Sequence, residues 1–129
     1  MSIEIGQKEK LFNLAEAREH LSLVKTITKS YQRKLAPIQA RLNKMLSNDP
    51  RRAAIENDYE QLVSQWKLKI EQLGALVGGL WVIEFNVGEA VLCWRYPELS
   101  LSFVRVHGQP FSKRVKLALY IEETDPDWV

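Results

Sequence analysis

Between residues 14 and 45 the apolar positions fall three and four apart. They are Leu14, Ala17, Leu21, Val24, Tyr31, Leu35, Ile38, Leu42 and Met45, and Thr28 is the single polar residue in the seam. A stripe of this kind lies on one side of an α-helix and is buried by packing on another helix. The spacing predicts a helix over 13–47. Asn13 is placed to cap it, and Glu16 three residues later completes a capping box. Phe12, just before the cap, can pack on Ala17. Pro37 deletes one hydrogen bond and presses on the carbonyl of Arg33, which predicts a kink. "SNDPRRAAIE" then reads as a connection and a fresh start, with Asp49 as cap and Pro50 where a missing N–H is harmless. A second seam runs through Ile55, Tyr59, Leu62, Trp66, Ile70, Leu73 and Val77, predicting a helix over 50–78 that Gly78-Gly79 ends. Two such helices with a short connection lie antiparallel.

The period then changes to two. Trp81, Ile83 and Phe85 share one side of a strand, as do Leu92, Trp94 and Tyr96, then Leu101 and Phe103. Leu117, Leu119 and Ile121 predict a fourth strand. Two-residue turns at Val87-Gly88 and Pro97-Glu98 place Ile83 opposite Leu92, Trp81 opposite Trp94, Trp94 opposite Leu101 and Leu92 opposite Phe103. Valine resists the positive φ such a turn requires, so a bulge near Gly88 is the weak point of this register. The expected class is α+β: a long, coiled-coil-like antiparallel helical hairpin, then an antiparallel β-meander of three to four strands over 80–122. Residues 123–129, within the closing stretch EETDPDWV, read as an acidic tail in which Trp128 anchors either on the body or on a partner.

At 129 residues, 46% of them apolar and 26% charged, the chain fits one globular domain over 1–129. A net charge of +2 is too small to indicate nucleic acid unless the cations gather on one face. The single cysteine excludes an internal disulfide and a thiolate metal cluster, and it suits a reducing compartment. The first residues lack the basic-then-apolar order of a secretory signal. The longest apolar run, Gly74 to Ile83, is far short of a bilayer span, so a cytoplasmic protein without membrane partners is expected.

Candidate chemistry concentrates in "VLCWRYPELSLSF", Val91 to Phe103. In the predicted register Cys93 and Arg95 lie opposite Trp94, near Ser100, Ser102 and Val104. Cys93 reads as a packing residue, because a nucleophile needs a neighbouring base and neither His20 nor His107 is brought close. Arg95 reads as an ion-pair partner of Glu98, Glu84 or Glu89, or as a contact for an anion or a partner. Tyr59 and Trp66 read as hairpin core.

Two segments together resemble the domain-of-unknown-function 2203 family of bacteria. "FNLAEAREHL" resembles the family's helix start, and "LCWRYPELSLSF" its L-C-W-R-x-G-E strand and turn. Phe111 and Arg114 match its F-x-x-R. The likeness spans most of the chain, with a variable middle. It implies a bacterial cytosolic protein with a helical hairpin and a small sheet, and it carries over Cys93, Trp94, Arg95, Glu98, Phe111 and Arg114 without assigning any of them a role. The chain departs from the pattern at Pro97, where the family has glycine, and at Val104-Arg105, where it has tryptophan-histidine.

Three functions follow. The favoured one is a non-catalytic protein-interaction or scaffold module, self-associating as a homodimer or bound to another protein through Cys93, Trp94, Arg95, Glu98, Arg105, Phe111 and Arg114. The second is a nucleic-acid or anion binder that uses the basic face of the first helix (Lys25, Lys29 and Arg33, four apart) with Arg95, Arg105 and Arg114. The third is an enzyme, for which Glu84, Glu89 and Glu98 would have to form a carboxylate cluster with Cys93 or His107. No phosphate loop, dinucleotide fingerprint, nucleophile elbow or zinc spacing is present, so no catalytic residue, metal or cofactor is expected.

Overall fold

The first half of the chain is two helices that cover each other's apolar stripes. A computed structural model describes residues 10–129; the expectation about a signal segment lies mostly in residues 1–9, outside the described residues. Helix α1 runs Leu14–Lys44 without interruption through Pro37, and α2 runs Arg52–Gln72. Leu14, Ala17, Leu21, Val24, Thr28, Tyr31, Leu35 and Leu42 are buried in α1, and Ile55, Trp66 and Ile70 in α2. Thr28, the break in the seam, has a partner: its Oγ1 accepts the Trp66 indole N–H at 2.9 Å. The Arg52 guanidinium donates to the carbonyls of Leu42 and Met45 at 3.0 and 3.4 Å, so the start of α2 satisfies the end of α1 and the two run antiparallel.

The α1 cap agrees with the sequence reading, whereas the N-cap of α2 is Arg51 rather than Asp49. Asn13 Oδ1 accepts the Glu16 N–H at 2.8 Å, and Glu16 Oε1 accepts the Asn13 N–H at 3.0 Å. Phe12 is buried, edge-on to Phe85 and His20. Asp49 accepts the Arg51 N–H on its side chain and the Arg52 N–H on its carbonyl, at 2.9 and 3.0 Å. It therefore closes the turn leading into α2, and regular helix begins at Arg52, two residues after Pro50.

The other end of α2 corrects the prediction. The helix stops at Gln72 rather than at 78, because Gly74 adopts φ +90° and turns the chain. Leu76–Gly79 becomes strand β1, followed by β2 (Val82–Asn86), β3 (Ala90–Arg95), β4 (Phe103–Val106) and β5 (Val115–Lys116). The five strands form one antiparallel sheet in the order β1-β2-β3-β4-β5. Leu117, Leu119 and Ile121 are not a strand but part of helix α3, Leu117–Thr124. The run satisfies both periods, and burial decides: Leu117, Tyr120 and Ile121 pack inward at helical spacing while Leu119 is 56% exposed.

The strand registers also differ from those expected. Ile83 faces Trp94 and Phe85 faces Leu92, because the tight turn is Gly88-Glu89 rather than Val87-Gly88. Val87 N–H donates to Ala90 O at 3.0 Å across that turn, and Gly88 supplies the positive φ, +104°, that valine resists. This slip of two keeps every side chain on its face. The β3–β4 slip is one residue, and it turns β4 over. Leu92 faces Val104, and Cys93 faces Phe103. Leu101 is buried ahead of the strand rather than paired with Trp94.

One face, with Ile83, Phe85, Leu92, Trp94 and Val104, joins Leu14, Val24, Tyr31, Trp66 and Ile70 in a single core. The tail closes that core. Trp128 is buried and stacked on Tyr120, and its carbonyl accepts the Leu14 N–H of the first turn of α1 at 2.7 Å. The partner-or-body question for Trp128 is thus answered in favour of the body.

Candidate functional site

The face away from the helices carries Glu84 on β2, Val91 and Cys93 on β3, and Phe103 and Arg105 on β4. Strand alternation explains this set. In "VIEFN" the carboxylate stands alone between Ile83 and Phe85, which point into the core, so Glu84 has to point the other way. Val104, expected beside Cys93, lies in the core instead, and Phe103 and Arg105 take its place.

Two ion pairs span this face. Arg105 Nη2 and Nε donate to Glu84 Oε2 at 2.8 and 3.2 Å, and Arg105 Nη1 donates to the Gln109 carbonyl at 2.8 Å. Arg114 grips Glu98 with two bonds, 2.6 and 3.2 Å, one to each oxygen. Partial burial alone would raise the Glu98 carboxyl, but the Arg114 guanidinium and the Arg95 backbone N–H outweigh it and hold it below the usual range. The Arg114 guanidinium lies 4.1 Å from the ring centre of Phe103 and 4.3 Å from that of Phe111, so it is sandwiched between rings.

Glu98 also builds the turn. Its Oε1 accepts the Arg95 N–H at 2.9 Å, its own N–H donates to Arg95 O at 2.8 Å, and its carbonyl accepts the Trp94 indole N–H at 2.8 Å. A carboxylate thus occupies the place of a ladder partner for Arg95, and the following residues are free to shift β4 by one.

Arg95 does not pair with Glu98, Glu84 or Glu89. Its exposed guanidinium lies 5.5 Å from the ring centre of Phe111. Cys93 is fully buried, with Sγ 3.9 Å from Glu84 Oε2. Burial first, and the Glu84 charge second, push its thiol up to about 11. A protonated thiol is not a nucleophile at neutral pH. The proposed carboxylate cluster does not form. Glu84 and Glu98 are each taken by an arginine, and Glu89 accepts the Tyr120 hydroxyl at 2.7 Å and the Trp128 indole N–H at 3.1 Å. Among the described residues no group of His, Cys, Asp and Glu side chains is arranged to hold a metal ion.

A second region is built differently. A cavity of about 410 Å³ is lined by Arg18 of α1, Ser100 to Phe103, and Lys116, Leu117, Ala118 and Ile121 around the start of α3. A neighbouring one of about 390 Å³ is lined by Arg18, Leu21, Ser22, Lys25 and Thr26. Arg18 separates the two, and no carboxylate lines either. Lys25 donates to the Leu99 carbonyl at 2.5 Å. Lys29 and Arg33, expected to extend this stripe, are simply exposed on α1.

A family model described as "Uncharacterized conserved protein (DUF2203)" matches residues 10–117. The chain belongs to the DUF2203 family. No curated protein and no solved structure matches it. The DUF2203 match takes in the hairpin, the sheet, both arginine–glutamate pairs and the cations of the two cavities, and it stops before most of α3 and the anchored tail. The residues resembling the DUF2203 pattern divide by what they touch: Cys93 packs, Trp94 fills the core, and Arg95, Glu98, Phe111 and Arg114 lock the turn after β3. Sequence reasoning named that group but missed Phe103, which the unforeseen register brings in. It also missed that Arg18 and Lys116 line one cavity, because no local spacing relates α1 to the start of α3. Among the described residues no helix is long and apolar enough to cross a membrane.

Proposed function

We propose that this protein is a non-catalytic protein-interaction module that self-associates. The observation that carries the reading is that its reactive groups are spent on each other. Both glutamates on the second sheet face are neutralised by arginines, and the one thiol is buried and held protonated. What remains accessible is binding surface: Arg18 on α1 and Lys116 on β5, which form no ion pair among the described residues, and large exposed apolar side chains such as Leu99, 87% exposed.

Two measurements on the full chain test this. Cys93 should react with a thiol-specific disulfide reagent at neutral pH only after denaturation; fast reaction of the folded protein would mean an activated nucleophile and would overturn the non-catalytic reading. Light scattering at micromolar concentration should give a mass near twice 14.9 kDa. A mass of one chain at every concentration would remove self-association.

A further inference from the structure

We infer that the cationic groove around Arg18 receives the acidic C-terminal segment of a second copy of this chain. The inference rests on the self-association proposed above and assigns it a surface. Arg18, Lys25 and Lys116 line the two adjoining cavities, and among the described residues none of the three has a carboxylate within ion-pair distance. Ser22, Thr26, Ser100 and Ser102 and the apolar Leu21, Leu101 and Ile121 share the lining. The groove offers charge, hydrogen-bonding groups and apolar contact side by side, which suits a peptide segment more than a free ion.

The complementary surface lies on the same chain. Glu122, Glu123, Asp125 and Asp127 are all exposed, and none forms an ion pair among the described residues. This segment is not a loose tail. Glu122 and Glu123 stand on α3, and Trp128 pins the end through its stack on Tyr120, its bond to Glu89 and its carbonyl on Leu14. The backbone that carries the four carboxylates is therefore held in place before any partner arrives, which lowers the cost of docking. A chain that carries both a basic groove and a fixed acidic segment satisfies both at once in a two-fold dimer, where each copy's segment meets the other copy's groove.

The test is the oligomeric mass of the full chain by analytical ultracentrifugation. The dimer should weaken at least tenfold between about 50 mM and about 500 mM salt, since its contacts are exposed charges. Arg18→Glu/Lys116→Glu should be monomeric, and so should Glu122→Lys/Glu123→Lys. Mixed in equal amounts, the two variants should form a heterodimer, because each reversed surface meets its reversed complement. Lys29→Glu/Arg33→Glu, on α1 but outside the groove, should dimerise like the parent, with melting temperatures confirming that every variant folds. A salt-insensitive dimer, or one that survives Arg18→Glu/Lys116→Glu, would overturn this interface while leaving self-association standing. No dimer at low salt would overturn both.

Discussion

Thr28 looks like a flaw in an apolar seam, yet it is the residue that fixes the hairpin. Its hydroxyl is the acceptor for the indole of Trp66, and both side chains are fully buried. Thr28→Val keeps the shape and leaves that N–H without a partner, so it should cost about 1–3 kcal/mol in urea denaturation. Thr28→Val/Trp66→Phe should lose less than the sum of the two single losses, because the orphaned donor is gone. Cys93 makes the opposite point: a residue that draws attention in the sequence is inert in the fold. Burial pushes its folded thiol up to about 11, above the 9.0 of a free thiol. The unfolded chain therefore gives up the proton first, and stability present below about pH 9 declines as pH rises towards 11. Cys93→Ala should flatten that alkaline decline in melting temperature; an unchanged slope would mean that the thiol is not the group responsible.

At the scale of elements, the ends matter more than the middles. The α1 N-terminus is served by its capping box, by Phe12 on the core and by the Trp128 carbonyl. Asn13→Ala should lose about 1 kcal/mol, a typical cap contribution. Trp128→Ala should lose about 3 kcal/mol, since it empties a buried aromatic site stacked on Tyr120 and removes the indole N–H that Glu89 accepts. The hairpin turn at Gly88 is equally specific. Nothing lies within 4 Å of a Cβ placed there, so Gly88→Ala meets no clash, and its cost of about 1–2 kcal/mol comes from the positive φ alone.

At the scale of the whole molecule, the sheet is covered on one side by helices and fastened on the other by ion pairs. Arg105–Glu84 and Arg114–Glu98 sit largely out of water, and removing one partner leaves the other charge stranded. Glu84→Gln should therefore destabilise by about 3 kcal/mol, more than a surface pair would. Acid should act through lowered carboxyls. The Arg51 side chain and backbone bonds hold Asp49 at about 2, and the Arg114 guanidinium helps to keep Glu98 below its ordinary value. Both are lowered groups, so their contribution is complete above the unfolded pKa and is lost as pH falls through the folded one. For Asp49 the window runs from about pH 4 to about pH 2. Asp49→Asn should show a shallower acid limb in thermal melts, while an identical limb would contradict the assignment.

The sequence by itself determined what depends on spacing along the chain. The three-and-four seams from Leu14 to Leu42 and from Ile55 to Ile70, the capping box at Asn13 and the period-two strands need only near neighbours to be legible. The α+β class followed from them, whereas Arg95, Glu98, Phe111 and Arg114 were singled out by the family resemblance, and the pairing of Glu98 with Arg114 was not foreseen. Only the tertiary structure decided what depends on distant neighbours. Leu76 and Val77 fit a helix or a strand, and pairing with β2 made them a strand. Leu117 to Ile121 fitted both periods, and packing on the core made them a helix. The one-residue slip of β4 arose because the Glu98 side chain took a backbone donor that a strand would otherwise have bonded, and that slip carried Phe103 and Arg105 to the Cys93 face. Local periodicity reports which side of an element is apolar; which partner covers that side is a competition among the whole chain's surfaces, and the chain settles it only when folded.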